Sequence, residues 1–222
     1  MTAVFGLARS LTTSVQGQGT ITLNPGGGLY VDGTVVSLTA NPASGWRFDH
    51  WEGDLSGSTT PVQVTMDTDK SVSGVFVELP RYTLTTSVQG NGAVSGGGTY
   101  YEGTEVTVTA TAASGWRFDH WEGDLSGSTN PASITMDGDK AVTAVFIQTF
   151  TLTTVVQPEG SGGISLSPPG GTYDSGTQVT LTANSASGWL FDRWEGALTG
   201  STNPGTITMD SDKSVTAVFG VA

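Results

Sequence analysis

The sequence predicts a mostly β chain built as a tandem array of three small modules, and three observations carry that expectation. The segment Ala43 to Thr59 (ASGWRFDHWEGDLSGST) returns unchanged as Ala113 to Thr129, and a third, altered copy runs from Ala186 to Thr202. Short runs of alternating apolar and polar residues, rich in Val, Thr and aromatics, recur between Gly-rich turns. Pro or Gly interrupts every stretch that would otherwise read as a helix. The anchoring tryptophans Trp46, Trp116 and Trp189 lie 70 and then 73 residues apart, the extra three falling in the turn Gln157-Pro158-Glu159-Gly160-Ser161-Gly162. The chain therefore divides into residues 9–79, 80–148 and 149–222, preceded at residues 1–8 by the terminal strand of a preceding repeat. Leu79-Pro80-Arg81 and Ile147-Gln148-Thr149 are the joints, too short to serve as flexible tethers.

The second module shows the expected order of elements. Tyr82 to Val88 alternates apolar with polar residues and reads as a strand. Gly90-Asn91-Gly92 turns the chain, Ala93-Val94-Ser95 pairs back as a hairpin, and Gly96-Gly97-Gly98 makes a bend. Val106 to Ala110, Gly115 to Trp121, Ser133 to Met136 and Ala141 to Phe146 supply four further strands, six in all.

Composition narrows the function. Twenty acidic against eight basic side chains give a net charge of -12, which repels phosphate backbones and anionic lipid headgroups, so nucleic acid is not an expected partner. The chain has no cysteine, which removes disulfides, thiolate metal sites and thiol catalysis. No apolar run reaches the roughly 20 residues that a membrane-spanning helix needs, so no membrane insertion is expected of this segment.

The ordered motifs Gly-Trp-Arg-Phe-Asp-His-Trp-Glu-Gly-Asp-Leu-Ser-Gly, Asn-Pro, Ile-Thr-Met-Asp-x-Asp-Lys and Val-Thr-Ala-Val-Phe resemble the divergent internalin-B-type B-repeat family, in three copies covering essentially the whole chain. The resemblance implies a small β-grasp-like module found in arrays on secreted and surface-attached bacterial proteins, hence an extracellular or cell-surface location and a spacer or adhesion role. Module 3 departs from the pattern with Leu190 for Arg47, Arg193 for His50 and Ala197 for Asp54, and module 1 has Thr60 where the others have Asn130 and Asn203.

Each candidate site has a structural reading beside its functional one. Trp46, Phe48 and Trp51, with Trp116 and Trp189 in the other modules, invite sugar stacking, yet a small module needs large aromatics for its own core. Trp51 shares a strand face with Trp46 and Phe48 only if a bulge lies at Asp49-His50. Asp67 and Asp69, Asp137 and Asp139, and Asp210 and Asp212 form oxygen-rich turns of a kind that suits calcium, while the same residues also serve ordinary turn chemistry. Lys70, Lys140 and Lys213 open the last strand of each module, where an isopeptide cross-link competes with a simple charge pair. No hydrolase or transferase constellation is present in the pattern: His50 and His120 are equivalent positions of different modules, and no cofactor is expected.

The expected function is thus a non-enzymatic structural repeat region, a stalk, spacer or filament segment, with an adhesin or carbohydrate-binding array as the alternative. Thr2-Ala3-Val4-Phe5 repeats Thr216-Ala217-Val218-Phe219, so one terminal strand is surplus. Such a strand is expected to pair with a sheet edge, which makes neighbouring copies, end to end, the expected partner beside a glycan or surface protein.

Overall fold

The structure, a computed structural model, describes residues 6–222. Thr2 to Phe5 therefore lie outside the described residues. All regular structure among the described residues is β. These residues fall into two compact units, one running up to Tyr82 and taking in Tyr100–Thr104, the other comprising Thr83–Thr99 and Glu105–Ala222.

Module 1 lies in the first unit and consists of β1 (Ala8–Gln16), β2 (Gly19–Asn24), β3 (Leu29–Val31), β4 (Val35–Pro42), β5 (Trp46–Gly53), β6 (Val62–Thr65) and β7 (Lys70–Glu78). Two sheets form: a mixed one in the order β3-β1-β7-β5 and an antiparallel one in the order β2-β4-β6. The first and last strands are neighbours and run parallel, from Leu11 opposite Lys70 to Gln16 opposite Val75. A parallel pair needs a long crossover, and here the whole module is that crossover, so the repeat closes on itself. This grasp-like centre carries no helix; the three-stranded sheet supplies the other apolar face. Alternate residues of β4 (Val36, Leu38, Ala40) and of β7 (Val72, Phe76) point into one core with Leu11, Tyr30, Trp51, Val64 and Met66.

The other two modules repeat this plan. Module 2 uses β8 (Arg81–Gln89), β9 (Gly92–Ser95), β10 (Gly98–Tyr101), β11 (Glu105–Ala112), β12 (Trp116–Gly123), β13 (Ala132–Thr135) and the first half of β14 (Lys140–Gln157). Module 3 uses the second half of β14, then β15 (Gly162–Ser167), β16 (Thr172–Asp174), β17 (Gln178–Ser185), β18 (Trp189–Gly196), β19 (Gly205–Thr208) and β20 (Lys213–Val221). The parallel first-to-last pairing recurs as β8 with β14 and as β14 with β20. Thr216 to Phe219 thus sit in a strand paired on both sides, by β14 and by β18, and the tail strand of a module folds into its own module.

Two features differ from the sequence reading. Each module has a seventh strand, the three or four residues of β3, β10 or β16, in a stretch too short for alternation to show. It carries Tyr30 or Tyr173, buried, with the hydroxyl donating to the carbonyl of Pro25 or Pro168 at 3.0 Å. The joint Ile147-Gln148-Thr149 is not a connection between strands at all but the interior of β14. The other joint does break, because Pro80 has no N–H to give to a ladder; β7 stops at Glu78 and β8 starts at Arg81.

The bulge expected beside the tryptophans is present in every module: pairing shifts register between Phe48 and His50, between Phe118 and His120, and between Phe191 and Arg193. The extra residue returns the second tryptophan to the core face. Trp51, Trp121 and Trp194 are each 1% exposed. Each stands opposite a small residue, Gly74, Ala144 or Ala217, which leaves room for the indole. Phe48 packs on Trp51 at 4.8 Å between ring centroids and on Phe76 at 5.6 Å, and the other modules repeat the cluster. The indole N–H donates to the carbonyl of Thr59, Thr129 or Thr202 at 2.9 to 3.0 Å, so the ring is buried without an orphaned donor. Trp46, Trp116 and Trp189 are only half-buried, at the margin of this core. Trp121→Ala should therefore cost module 2 about 3 to 5 kcal/mol, the range for deleting a buried aromatic. Trp116→Ala should cost clearly less, and equal losses of melting temperature in the two variants would contradict this division.

Candidate functional site

The acidic turns are built into the backbone. Asp69 Oδ1 accepts from the amide of Ser10 at 2.7 Å, and Asp139 and Asp212 accept from Thr83 and Thr151 in the same way. Each bond ties the turn before the last strand of a module to its first strand. Asp67, Asp137 and Asp210 each pair with the lysine three residues on, Lys70, Lys140 or Lys213, at 2.7 Å. These lysines hold the three carboxyls below the usual carboxylate range, and the Ser10 amide does the same for Asp69. Asp54 and Asp124 cap the last strand by accepting from Ser71 and Ala141 at 2.6 and 2.7 Å. In the same loop, a Cβ on Gly53, whose φ is +89°, would fall 2.3 Å from the Ser71 carbonyl oxygen, so only glycine fits that approach. Among the described residues no group of three or more acidic, His or Cys side chains gathers around a common point for a metal ion.

At the bulge, a basic side chain sits between two carboxylates. His50 meets Asp49 at 2.8 Å and Glu52 at 3.3 Å, His120 meets Asp119 and Glu122 likewise, and the bonds from the aspartate first and the glutamate second raise both imidazoles. Arg193 takes this place in module 3, reaching Asp192 and Glu195 at 2.5 Å. The departure from histidine thus keeps a basic group between the two carboxylates.

The module joints bring together residues that the sequence reading did not pair. In the second unit β14 passes from one module to the next with every side occupied. Its residues up to Gln148 pair with β12, ending at Trp116, and Thr149 to Thr151 pair with β16. The Thr149 amide donates to Gly115 of module 2 at 2.8 Å, while the Gln148 carbonyl accepts from Ser175 of module 3 at 2.8 Å. Arg117 of module 2 grips Asp174 of module 3 with two nitrogens, at 2.5 and 2.6 Å, and also reaches Asp119 at 2.7 Å. Asp174 drives the guanidinium's affinity for its proton upward, and Arg117 holds the Asp174 carboxyl down. In the first unit the equivalent of Asp174 is Tyr101. Its ring packs on Gly45, where a Cβ would fall 2.3 Å from the ring, and Arg81 lies over it at 4.3 Å and donates to its hydroxyl. The same backbone bonds recur there, from Leu79 to Gly45 and from Glu102 to Pro80, both at 2.8 Å.

The sequence model of the divergent InlB B-repeat domain matches this chain three times, over residues 9–79, 82–149 and 152–222. The chain belongs to that family. Its B-repeats occupy nearly all of the sequence in tandem. No curated protein matches the chain. Among solved structures, the major pilin protein (T-13) of Streptococcus pyogenes serotype GAS131465 is 13% identical, with 99% of this chain and 98% of that chain covered and a TM-score of 0.23, a likeness too slight to carry an argument.

Beside the joint of B-repeats 2 and 3 lies an open cleft of about 410 Å³ lined by Trp116, Phe150, Thr149, Thr151, Thr172 and Asp212 among others. Of the sequence candidates, Trp116 and Asp212 therefore come together there, while Asp137 stays in its own turn. The Asn position also has a role that sequence reasoning missed. Asn130 and Asn203 each bracket one residue of the central strand, accepting from its amide at 2.9 Å and donating to its carbonyl at 2.8 Å, at Ala110 and Ala183. Thr60 makes only the first of these bonds, to Ala40 at 2.8 Å.

Two outcomes follow from these contacts. Thr60→Asn should stabilise B-repeat 1 by about 1 kcal/mol, the net worth of one added hydrogen bond, read as a rise in its melting temperature. For the lysine-paired turns the sign runs with acid: a depressed carboxyl adds stability that is complete above its unfolded value of about 3.9 and is lost as pH falls through the folded value. A triple variant with Asp67, Asp137 and Asp210 changed to Asn should lose less stability between pH 5 and pH 3 than the parent. Identical acid profiles would remove these pairs as the cause.

Proposed function

We propose that the three B-repeats are a non-enzymatic structural region, a spacer that holds its parts at fixed separation within an extracellular or surface-attached bacterial protein. The observation that carries this reading is β14, a single strand of 18 residues that is the last strand of one repeat and the first of the next. A spacer has to hold separation without a soft linker, and here the linker length is zero. The amides of Thr149, Thr151 and Leu152 are all engaged, by Gly115, Asp212 and Gly171. The Arg117–Asp174 pair adds a lateral tie; as a partly exposed ion pair it is worth about 1 kcal/mol or less, so the shared strand is the larger constraint. Net charge of -12 keeps such an array soluble in isolation.

Hydrogen exchange tests the reading directly, on dilute protein. Thr149, Thr151 and Leu152 should exchange as slowly as the interior of β14 within a repeat, because opening the joint breaks bonds to both repeats at once. Exchange at the rate of exposed turns would mean that the repeats swing freely and would end the spacer reading.

A carbohydrate-binding array is the second reading, favoured by the cleft where the half-buried Trp116 meets threonine hydroxyls and the Asp212 carboxylate. Binding to a glycan array that Trp116→Ala abolishes, with the fold retained, would support it. The intact chain's failure to retain any glycan would dismiss it.

A further inference from the structure

The two joints between repeats share their backbone bonds, and side chains fill the first but not the second. At the first, the Tyr101 ring rests on Gly45, where a Cβ would fall 2.3 Å from it, and Arg81 lies over the ring. At the second, a Cβ on Gly115 would meet nothing nearer than the Thr149 carbonyl oxygen, at 4.0 Å. Asp174, at the position of Tyr101, is drawn away to Arg117, and Thr149, which precedes its first-strand leucine by as many residues as Arg81 does, is short. The cleft of about 410 Å³ is the result, with Ser114 to Trp116 on one side, Asp212 on the other and Gln148 to Thr151 of β14 between them. The cleft has an acid and no base. Asp212 is the one charged residue that lines it; its carboxylate accepts from the Thr151 amide at 2.7 Å and, among the described residues, enters no salt bridge. In repeat 1 the equivalent bond runs from the Ser10 amide to Asp69, and that amide, with Arg9 beyond it, holds the Asp69 carboxyl below its ordinary value. Phe150 takes the place of Arg9 in repeat 3, and Thr149 that of Arg81, so both built-in cations are missing from the turn that borders the cleft.

We propose that this cleft binds an amino sugar, a hexosamine unit of a glycan that carries a free ammonium group. The ammonium replaces the absent arginine as the partner of Asp212, and the hydroxyls of Thr149, Thr151 and Thr172 and the Gln148 amide meet the sugar hydroxyls. The half-buried Trp116 offers an aromatic margin to the ring and to the positive charge. With no basic residue in the lining, an acidic sugar finds no partner, and the net charge of -12 draws cations toward the chain. The cleft falls within the size range of small-ligand sites. The proposal rests on the carbohydrate reading and narrows it to one class of sugar at one joint, because at the other joint Tyr101 and Arg81 occupy the corresponding ground.

The test is a titration of the intact chain, followed by NMR, with the disaccharide of glucosamine and its fully N-acetylated counterpart as probes, at about pH 6, where a sugar amine keeps its proton. The glucosamine disaccharide should shift the Trp116 indole and the Thr149 and Thr151 amides with a Kd of about 1 mM or tighter, and the N-acetylated one should bind about tenfold more weakly or worse. Added salt should weaken the first and leave the second unchanged. Asp212→Asn keeps an oxygen for the Thr151 amide and removes the charge, while Thr149→Arg brings in the cation that repeat 2 carries at the matching position. Each should lower the affinity for glucosamine about tenfold or more, with circular dichroism melts like the parent's. Equal binding of the two disaccharides at these residues would overturn the proposal and leave the carbohydrate reading standing; binding of neither would overturn both. Full affinity in Asp212→Asn, or a trilysine peptide that shifts the same residues as strongly as glucosamine, would also overturn it.

Discussion

Each repeat depends on one tryptophan that is fully buried with its N–H satisfied, and on the single extra residue that puts it there. Without the bulge after Phe48, Phe118 or Phe191, strict alternation would send Trp51, Trp121 or Trp194 to solvent. With it, the indole fills the space above Gly74, Ala144 or Ala217 and packs against Phe48, Phe118 or Phe191, which in turn meets Phe76, Phe146 or Phe219 edge-on. The indole bond to Thr59, Thr129 or Thr202 and the amide bond of the same tryptophan to Gly57, Gly127 or Gly200 fold the following loop back on the sheet. That loop places Asp54 and Asp124 at the head of the last strand. A module of about 70 residues has little surface to bury, so one residue of this size accounts for a large part of what holds it.

The last strand then has two tasks. It pairs antiparallel with the bulged strand and parallel with the first strand of the same module, which seals the repeat. In β14 it runs on and becomes the first strand of the next repeat, so the element that completes one core also founds another. The aspartates that resemble a calcium loop belong to this arrangement: Asp139 and Asp212 hold the amide of a first strand against the turn that launches the last one. Their recurrence at fixed spacing reflects a backbone donor that recurs, because an edge amide left unpaired is costly wherever it is repeated.

Much of this was legible in the sequence. Internal repetition gave the module count, alternation and turn residues gave six of seven strands, and the face parity of Trp46, Phe48 and Trp51 made a bulge at Asp49-His50 the condition for bringing Trp51 to the same face. The pairing of Arg117 with Asp174 was hidden because the two residues sit in different repeats and each, read alone, is an ordinary surface charge. Tyr101 and Asp174 occupy one structural position and share no chemistry, so comparing repeats by residue type conceals that both serve the joint. The β3, β10 and β16 strands were hidden for another reason: three or four residues between a Gly-rich bend and a turn are too few to display a period. Asn130 and Asn203 looked like turn residues beside proline, and their bracketing of a strand residue requires knowing which strand lies opposite.

The pattern of identity and change among the repeats separates two selective pressures by their physics. Core positions are held because any change in volume at Trp51, Met66 or Val72 acts on a packed interior, whichever neighbour the repeat has. Bulge positions tolerate a change of chemistry as long as the charge pattern survives, as Arg193 for His50 shows, and Arg193 also frees module 3 from the histidine's loss of charge as pH rises. Joint positions answer only to the face they meet, and there the repeats carry Arg with Asp at one joint and Gly with Tyr at the other. An array with one chemistry at every joint could slip by a whole repeat, because identical faces cannot tell neighbours apart. Distinct chemistry at each joint gives every repeat one correct neighbour, so order along the array is specified by the faces while the cores remain copies of each other.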